Sequence, residues 1–357
     1  MKILVFISTR PELIRLSLIV NRLHKIHGDN LVLIYTNQNY TDNLSTDFIK
    51  ELGYPSFDYY LMKDKIPKSP GTQLADLIKE MEEVLTIEKC EDMRVLFLGD
   101  TNGCLATSII CSRLNIKTYH LEAGNRCYNV NSPEEANRRI IDHSSYMNLC
   151  YTENSKTILL REGLAINRLF VIGNPIVDVL DYYIDELSIK KETEPYVLVT
   201  LHRSENVDNE DVLRDILDAL NEISKDIKVI VSTHPRTRQK LNKIGVNEKY
   251  YNNVTFSEPF GFVDFINLEK GAKCIITDSG TVGEEATILN KPCVLIREAT
   301  ERVECLEFGN TILSGVKYSD IIRCVNEALK LKLYNYKKVY EGNTINKVCN
   351  IVSGNYL

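Results

Sequence analysis

No apolar run in the chain reaches the roughly 18 residues that a bilayer-crossing helix needs, so no membrane span is expected. The start, MKILVFISTRPE, is strand-like and meets charge at once; it lacks the long apolar core and small-residue cleavage site of a signal peptide. No C-x-x-C pair occurs among the ten cysteines, at 90, 104, 111, 127, 150, 274, 293, 305, 324 and 349. That excludes the common zinc spacings, and a chain of 357 residues has no need of a disulfide framework. Most of the cysteines sit in apolar runs such as CIITDSG and CVLIRE and read as buried reduced thiols. Basic excess is missing too. Lys and Arg total 43 against 49 Asp and Glu, a formal net charge of -6, which leaves no footprint for nucleic acid. Short-period repeats and low-complexity tracts are absent. These exclusions leave a cytoplasmic enzyme or binding protein without a metal centre.

What is present is a rhythm. KILVFIS (2–8) runs into Thr9-Arg10-Pro11-Glu12 and a helical pattern. LVLIYT, RVLFLGD, IKTYHLEAG, YMNLCYT and RLFVIGN follow, each separated by helix-like segments such as GTQLADLIKEMEEVLTIEK (71–89). After a charged bridge, ELSIKKETEP, the pattern restarts with YVLVTLHR, IKVIVSTHP, NVTFSEP, CIITDSG and PCVLIRE. Short apolar runs alternating with helices indicate βαβ units and parallel sheets. The length suits two domains. The fold class expected is α/β, two Rossmann-like doubly wound domains facing across a cleft and joined near 181–195. The boundaries read as 1–180 and 181–335, with a closing helix in 336–357 packing back on the first domain.

Polar clusters recur just after the strands, at Arg10, Asp100, Glu122, His202, His234 and Asp278. Folds of this class assemble their sites at the carboxyl ends of parallel strands. An exposed loop is polar in any protein, but six such clusters rich in His, Asp and Arg exceed that expectation. Arg10 and Arg15 could meet an anion at a helix N-terminus, or Arg10 could simply pair with Glu12. ITDSGTVGEEAT (276–287) is a strand, a turn and a helix whose first N–H groups can hold phosphate, with Glu284 or Glu285 for ribose hydroxyls. It is neither G-x-x-x-x-G-K-[ST] nor G-x-G-x-x-G, and Ser279 could be a plain N-cap. TLHRSENVD and STHPRTR each place a His beside an Arg after a strand, a pattern suited to a phosphate clamp. HLEAGNRCYNVNSPEEANRRIIDH (120–143) is the densest stretch. Glu134 and Arg138 lie i, i+4 on one helix face. They are either a surface ion pair, worth about 0.3–0.5 kcal/mol, or part of a carboxylate set for proton transfer with Asp100 and Glu122.

The ordered motifs STRPELIRLS, LGDTNGCLA, HLEAGNRCYNVNSPEEANRRIIDH, VIGNPIVDVL, LHRSENVD, STHPRTR, DSGTVGEEA and IREATERVE resemble the non-hydrolysing UDP-N-acetylglucosamine 2-epimerase family, from residue 1 to about 315. The resemblance implies the glycosyltransferase-B type of two-domain fold, a homodimer, a UDP-sugar substrate and no cofactor. It also implies elimination of UDP across C1–C2 to a glycal, followed by re-addition with C2 protonated from the opposite face. On it, Asp100, Glu122, Glu134, Arg138 and His202 are the acid/base and leaving-group residues. Arg10, Arg15, His234, Ser279, Gly280, Glu285 and Arg302 are the substrate- and UDP-binding set.

Three departures bear on the substrate. The family's GQHR-like stretch, which helps bind an activating second UDP-sugar, here reads TNQNYTDNL (36–44), without His or Arg. Arg15 stands where Lys is common. The segment between EAG and EE is short and reads NRCYNVNSP. Gln38-Asn39-Tyr40, Asn125-Arg126-Cys127 and the shortened loop together resemble a subgroup acting on UDP-2-acetamido-2,6-dideoxy-L-hexoses, such as enzymes forming UDP-L-FucNAc or UDP-L-RhaNAc for surface polysaccharide or glycan synthesis. The alternatives are the UDP-GlcNAc to UDP-ManNAc epimerase, a glycosyltransferase of the same architecture, a hydrolysing relative, and a non-catalytic sugar-nucleotide-binding protein. The acidic set argues against the glycosyltransferase and the pure binder.

Overall fold

A computed structural model describes residues 1–36, 49–63, 69–186, 194–246, 253–331 and 342–355, with a few isolated positions between them. The TNQNYTDNL stretch beyond Thr36 and most of the charged bridge, 187–193, lie outside the described residues. The chain divides into two compact units, Met1–Tyr182 with Tyr340–Leu357, and Tyr183–Val339.

The first unit is built on a seven-stranded parallel sheet. Its strands are β1 (Lys2–Ile7), β2 (Leu31–Thr36), β3 (Tyr59–Leu61), β4 (Met93–Leu98), β5 (Lys117–Leu121), β6 (Met147–Cys150) and β7 (Leu169–Val171). They lie in the order β3-β2-β1-β4-β5-β6-β7. β1 is apolar on both faces, and Ile3, Leu4, Val5, Phe6 and Ile7 are all buried, as a parallel strand covered by helices on both sides must be. Its register pairs Val5 with Leu33 on one side and with Leu96 on the other.

The second unit repeats the plan with six strands. β8 (Tyr196–Leu201), β9 (Lys228–Thr233), β10 (Val254–Ser257), β11 (Cys274–Thr277), β12 (Cys293–Leu295) and β13 (Thr311–Leu313) are all parallel and lie in the order β10-β9-β8-β11-β12-β13. Both orders contain the doubly wound 3-2-1-4-5-6 pattern, so each sheet has one point where the chain reverses its direction of winding. In the first unit it falls between β1 and β4; in the second, between β8 and β11. The expected α/β class with two Rossmann-like parallel-sheet units is what the chain adopts.

The last helix, Thr344–Ser353, belongs to the first unit. It packs on the helix Arg10–His27 and buries Val348, Cys349, Ile351 and Val352. Asp178 receives the backbone N–H groups of Asn343 and Thr344 at its start. Eight of the ten cysteines are buried, while Cys127 is half-buried and Cys90 exposed; all ten are free thiols. Among the described residues no helix is long and apolar enough to cross a membrane.

Candidate active site

In the first unit the titratable residues gather at the carboxyl ends of β1, β4 and β5, around the switch point. β4 ends at Leu98, and Gly99 turns the chain with φ +85° to present Asp100. The helix Pro133–Ser144 supplies the counter-charge. Arg138 Nη1 donates to Asp100 Oδ2 at 2.5 Å, and Nη2 donates to Glu135 Oε2 at 3.0 Å and Cys127 Sγ at 3.2 Å. Arg138 is only 5% exposed. On the helix it pairs with Glu135, one turn back at i−3, and Glu134 accepts a hydrogen bond from the Ser132 hydroxyl at 2.7 Å.

Glu135, which the sequence reading passed over, is the hub of this helix start. It also accepts from the Cys127 N–H at 3.0 Å and from Arg139. Burial works against its ionisation, but the Cys127 N–H and the Arg138 guanidinium outweigh it and hold the carboxyl below its usual range. Asn137 adds a bond from Nδ2 to the Asp100 carbonyl at 2.9 Å.

Glu122 follows β5 with φ +73°, a left-handed backbone that costs a non-glycine residue about 1–2 kcal/mol. The Tyr151 hydroxyl donates to its Oε2 at 3.4 Å. Two residues on, Gly124 has φ +84°, and a Cβ there would lie 2.3 Å from the Ser155 carbonyl oxygen. Glycine is therefore required twice over in the EAG turn, once for conformation and once for space.

A further carboxyl, Glu12, was not singled out. Thr9 and Glu12 have capping-box spacing, which was the available signal. Ser8 N–H donates to Glu12 Oε2 at 2.5 Å and the Thr9 hydroxyl to Oε1 at 3.1 Å. Burial, reinforced by the charges of Asp100 and Glu122, pushes Glu12 up to about 8. Of the two candidate anion binders on this helix, Arg10 is half-buried in the first turn and Arg15 is almost fully buried.

The second unit brings His202, His234, Asp278, Ser279 and Gly280 to the ends of β8, β9 and β11. Asp278 is fully buried and organises two loops. It accepts from the His202 N–H at 3.1 Å, the Arg203 N–H at 2.9 Å and Asn206 Nδ2 at 3.2 Å, and pairs with His202 Nδ1 at 3.1 Å. Burial opposes its charge, yet the His202 ring and these N–H groups keep its pKa below the ordinary value. The His202 ring is thereby oriented, with its centroid 5.8 Å from that of His234. His234 caps the helix Pro235–Lys243, its Nδ1 accepting from the Arg236 N–H at 3.2 Å.

Ser279 holds the N-cap position of the helix Gly280–Ile288, but its side chain makes no cap bond; Oγ meets Thr281 Oγ1 at 2.9 Å instead. A Cβ at Gly280 would lie 2.7 Å from Glu301 Oε1. Glu285 is buried on the same helix, and neighbouring Glu284 forms a buried pair with Arg302 Nε at 2.9 Å. Arg302 and Glu284 are thus tied to each other within the unit.

Chemically, the first unit offers carboxylates in contrasting environments, one paired with a buried guanidinium and one buried and proton-retaining. Such contrast is the basis of acid/base division of labour. The second offers an oriented His and a helix start suited to phosphate. A family model described as UDP-N-acetylglucosamine 2-epimerase matches residues 21–353. The chain belongs to that family. A UDP-N-acetylglucosamine 2-epimerase of Methanococcus maripaludis is 38% identical, over 99% of this chain and 98% of its own. A UDP-2,3-diacetamido-2,3-dideoxy-D-glucuronate 2-epimerase of Pseudomonas aeruginosa is 31% identical over 96% of each. The crystal structure of the Methanocaldococcus jannaschii UDP-GlcNAc 2-epimerase in complex with UDP-GlcNAc and UDP superposes with a TM-score of 0.90, at 36% identity, covering 99% of this chain and 100% of that one. This family member is accordingly an enzyme that epimerises a UDP-N-acetylhexosamine at C2, as the sequence resemblance implied.

Proposed function

We propose that the enzyme inverts C2 of a UDP-2-acetamido-2,6-dideoxy-L-hexose by eliminating and re-adding UDP. A base removes the C2 proton, the C1–O bond to UDP breaks with its electron pair leaving on UDP, and a C1–C2 double bond forms. UDP oxygen then re-forms the bond to C1 while C2 takes a proton on the other face. Asp100, Glu122 and Glu134 serve the proton steps, with Arg138 paired to Asp100. His202, with Arg10, Arg15, His234, Ser279, Gly280, Glu285 and Arg302, serves the nucleotide. The observation that carries the acid/base reading is the 2.5 Å bond between a buried Arg138 and Asp100.

The choice of an L-sugar rests on Gln38-Asn39-Tyr40, which lies outside the described residues, and on Asn125-Arg126-Cys127 with the short loop after it. Cys127 touches both Arg138 and Glu135, so the variant segment is part of the acid/base cluster. The second reading is UDP-GlcNAc, favoured by the similarity to the UDP-N-acetylglucosamine 2-epimerases of Methanococcus maripaludis and Methanocaldococcus jannaschii. Incubation in D2O with each nucleotide sugar separately, followed by NMR of C2–H, separates them. Deuterium entry and inversion with the L-sugar alone is the expected result; exchange with UDP-GlcNAc alone would overturn the L-sugar reading. Asp100→Asn should lower turnover at least about 100-fold while UDP still binds; near-normal turnover would remove Asp100 from the proton steps.

A further inference from the structure

The motif HLEAGNRC…DH contains three residues that the proton steps leave unused: His120, Arg126 and Asp142. All three are buried, at 1%, 2% and 0% exposure, and they form one network. His120 Nδ1 meets Asp142 Oδ1 at 2.8 Å, and Nε2 meets the Gly99 carbonyl at 3.0 Å. Asp142 Oδ2 accepts from Arg126 Nη1 at 2.8 Å and from the Gly124 N–H at 3.3 Å. Arg126 is closed off on its other edge by Glu162, through Nε at 2.9 Å and Nη2 at 2.6 Å.

The protonation pattern follows from the partners. A carbonyl oxygen only accepts, so Nε2 carries hydrogen. Burial opposes ionisation of Asp142, but the His120 and Arg126 contacts hold its pKa below the ordinary value. The ring is enclosed between one carboxylate at Nδ1 and one carbonyl at Nε2.

Its position is what matters. Gly99 is the residue before Asp100, and both its peptide groups are tied to β5: the Gly99 N–H donates to the Leu121 carbonyl at 3.1 Å, and its carbonyl accepts from His120. Glu122 follows His120 by two residues, and Gly124 in the same turn is bonded to Asp142. One buried carboxylate therefore links the turn that presents Asp100 to the turn that presents Glu122. We infer that His120 is a positioning residue for the C2 proton transfers, a buried ring that, anchored by Asp142, sets the Asp100 turn against the Glu122 turn. The inference rests on the reading of Asp100 and Glu122 as proton-transfer groups.

Two amide replacements dissect the ring. His120→Gln can reproduce the Nε2 donor to Gly99 and loses the Asp142 bond; His120→Asn keeps a polar contact with Asp142 at the Nδ1 position and loses the Gly99 bond. If the Gly99 carbonyl is the working contact, His120→Gln should keep kcat within about 10-fold of wild type. His120→Asn should lose roughly 100-fold or more, the scale of a small misplacement of reacting groups. KM and the affinity for UDP should stay within about 3-fold in both. Equal losses in the two variants that track their melting temperatures would mean a purely structural role and overturn the inference, as would full activity in His120→Asn. The wild-type protein gives a check independent of variant folding. With 15N-labelled histidine, the His120 ring should show hydrogen on Nε2; hydrogen on Nδ1 alone would also overturn the inference. Asp100→Asn run alongside distinguishes the two levels. Near-normal turnover there refutes the acid/base reading itself, whereas its loss together with an indifferent His120→Asn refutes only the positioning role.

Discussion

Glu12 carries a carboxyl that is 2% exposed and faces like charges from Asp100 and Glu122. Its pKa of about 8 in the folded chain, against an ordinary 4.5, means that the fold binds this proton more tightly than the unfolded chain does. The associated stability is fully present below about pH 4.5 and declines as pH rises through 8. Glutamine keeps the shape and carries no charge at any of these values. The Glu12→Gln variant should come close to wild type at pH 5 and exceed it by about 4 kcal/mol at pH 9, read as a gap in melting temperature that widens with pH. Parallel curves for the two proteins would show that Glu12 is already ionised at neutral pH. At this scale the sequence was partly legible. Asp100 and Arg138 were visible as strand-end and helix residues, and the structure joins them directly. Glu135 and Asp278 escaped as organisers because their roles depend on which backbone N–H groups fold toward them, and spacing does not encode that.

At the scale of elements, the strands were readable because buried parallel strands are continuous apolar runs, and KILVFI, RVLFL and YVLVTL each became one. The turns that follow were readable as polar but not as shapes. The EAG turn shows why: its geometry is set by a contact 31 residues away, the Ser155 carbonyl against the α-carbon of Gly124. Gly124→Ala combines a left-handed backbone, about 1–2 kcal/mol, with an overpacking cost of about 1–3 kcal/mol. The first unit should melt roughly 10 °C lower, and kcat should fall at least about 10-fold because Glu122 shares the turn. KM should hold, since the residues assigned to the nucleotide lie elsewhere. A variant that loses KM rather than kcat would place this turn on the binding side of the reaction. The same dependence on distant partners explains why the His120–Asp142–Arg126 network could not be read from HLEAGNRCYNVNSPEEANRRIIDH, where it looks like three unrelated polar residues.

For the whole molecule, the two-sheet plan was legible from the restart of the strand–helix rhythm after the charged bridge, and the order of strands then follows from right-handed crossovers. The return of the chain to its first unit is a different kind of feature, because it depends on which exposed face the last helix finds. Thr344–Ser353 has an apolar stripe, and the helix Arg10–His27 offers the matching one: Leu16, Ile19, Val20 and Leu23 are fully buried. At about 1.5–3 kcal/mol for each large apolar side chain buried, losing Val348, Ile351 and Val352 costs on the order of 5 kcal/mol. That is a large share of the roughly 5–15 kcal/mol that holds a domain together. A chain stopped after Val339 should lose hydrogen-exchange protection in Arg10–His27 and in β1, while β8 to β13 keep theirs. The Arg10–His27 helix begins with Arg10 and Glu12, so the same truncation should also abolish turnover. Unchanged protection in β1 would mean that the first unit folds without its returning helix, and that the contact serves something other than stability.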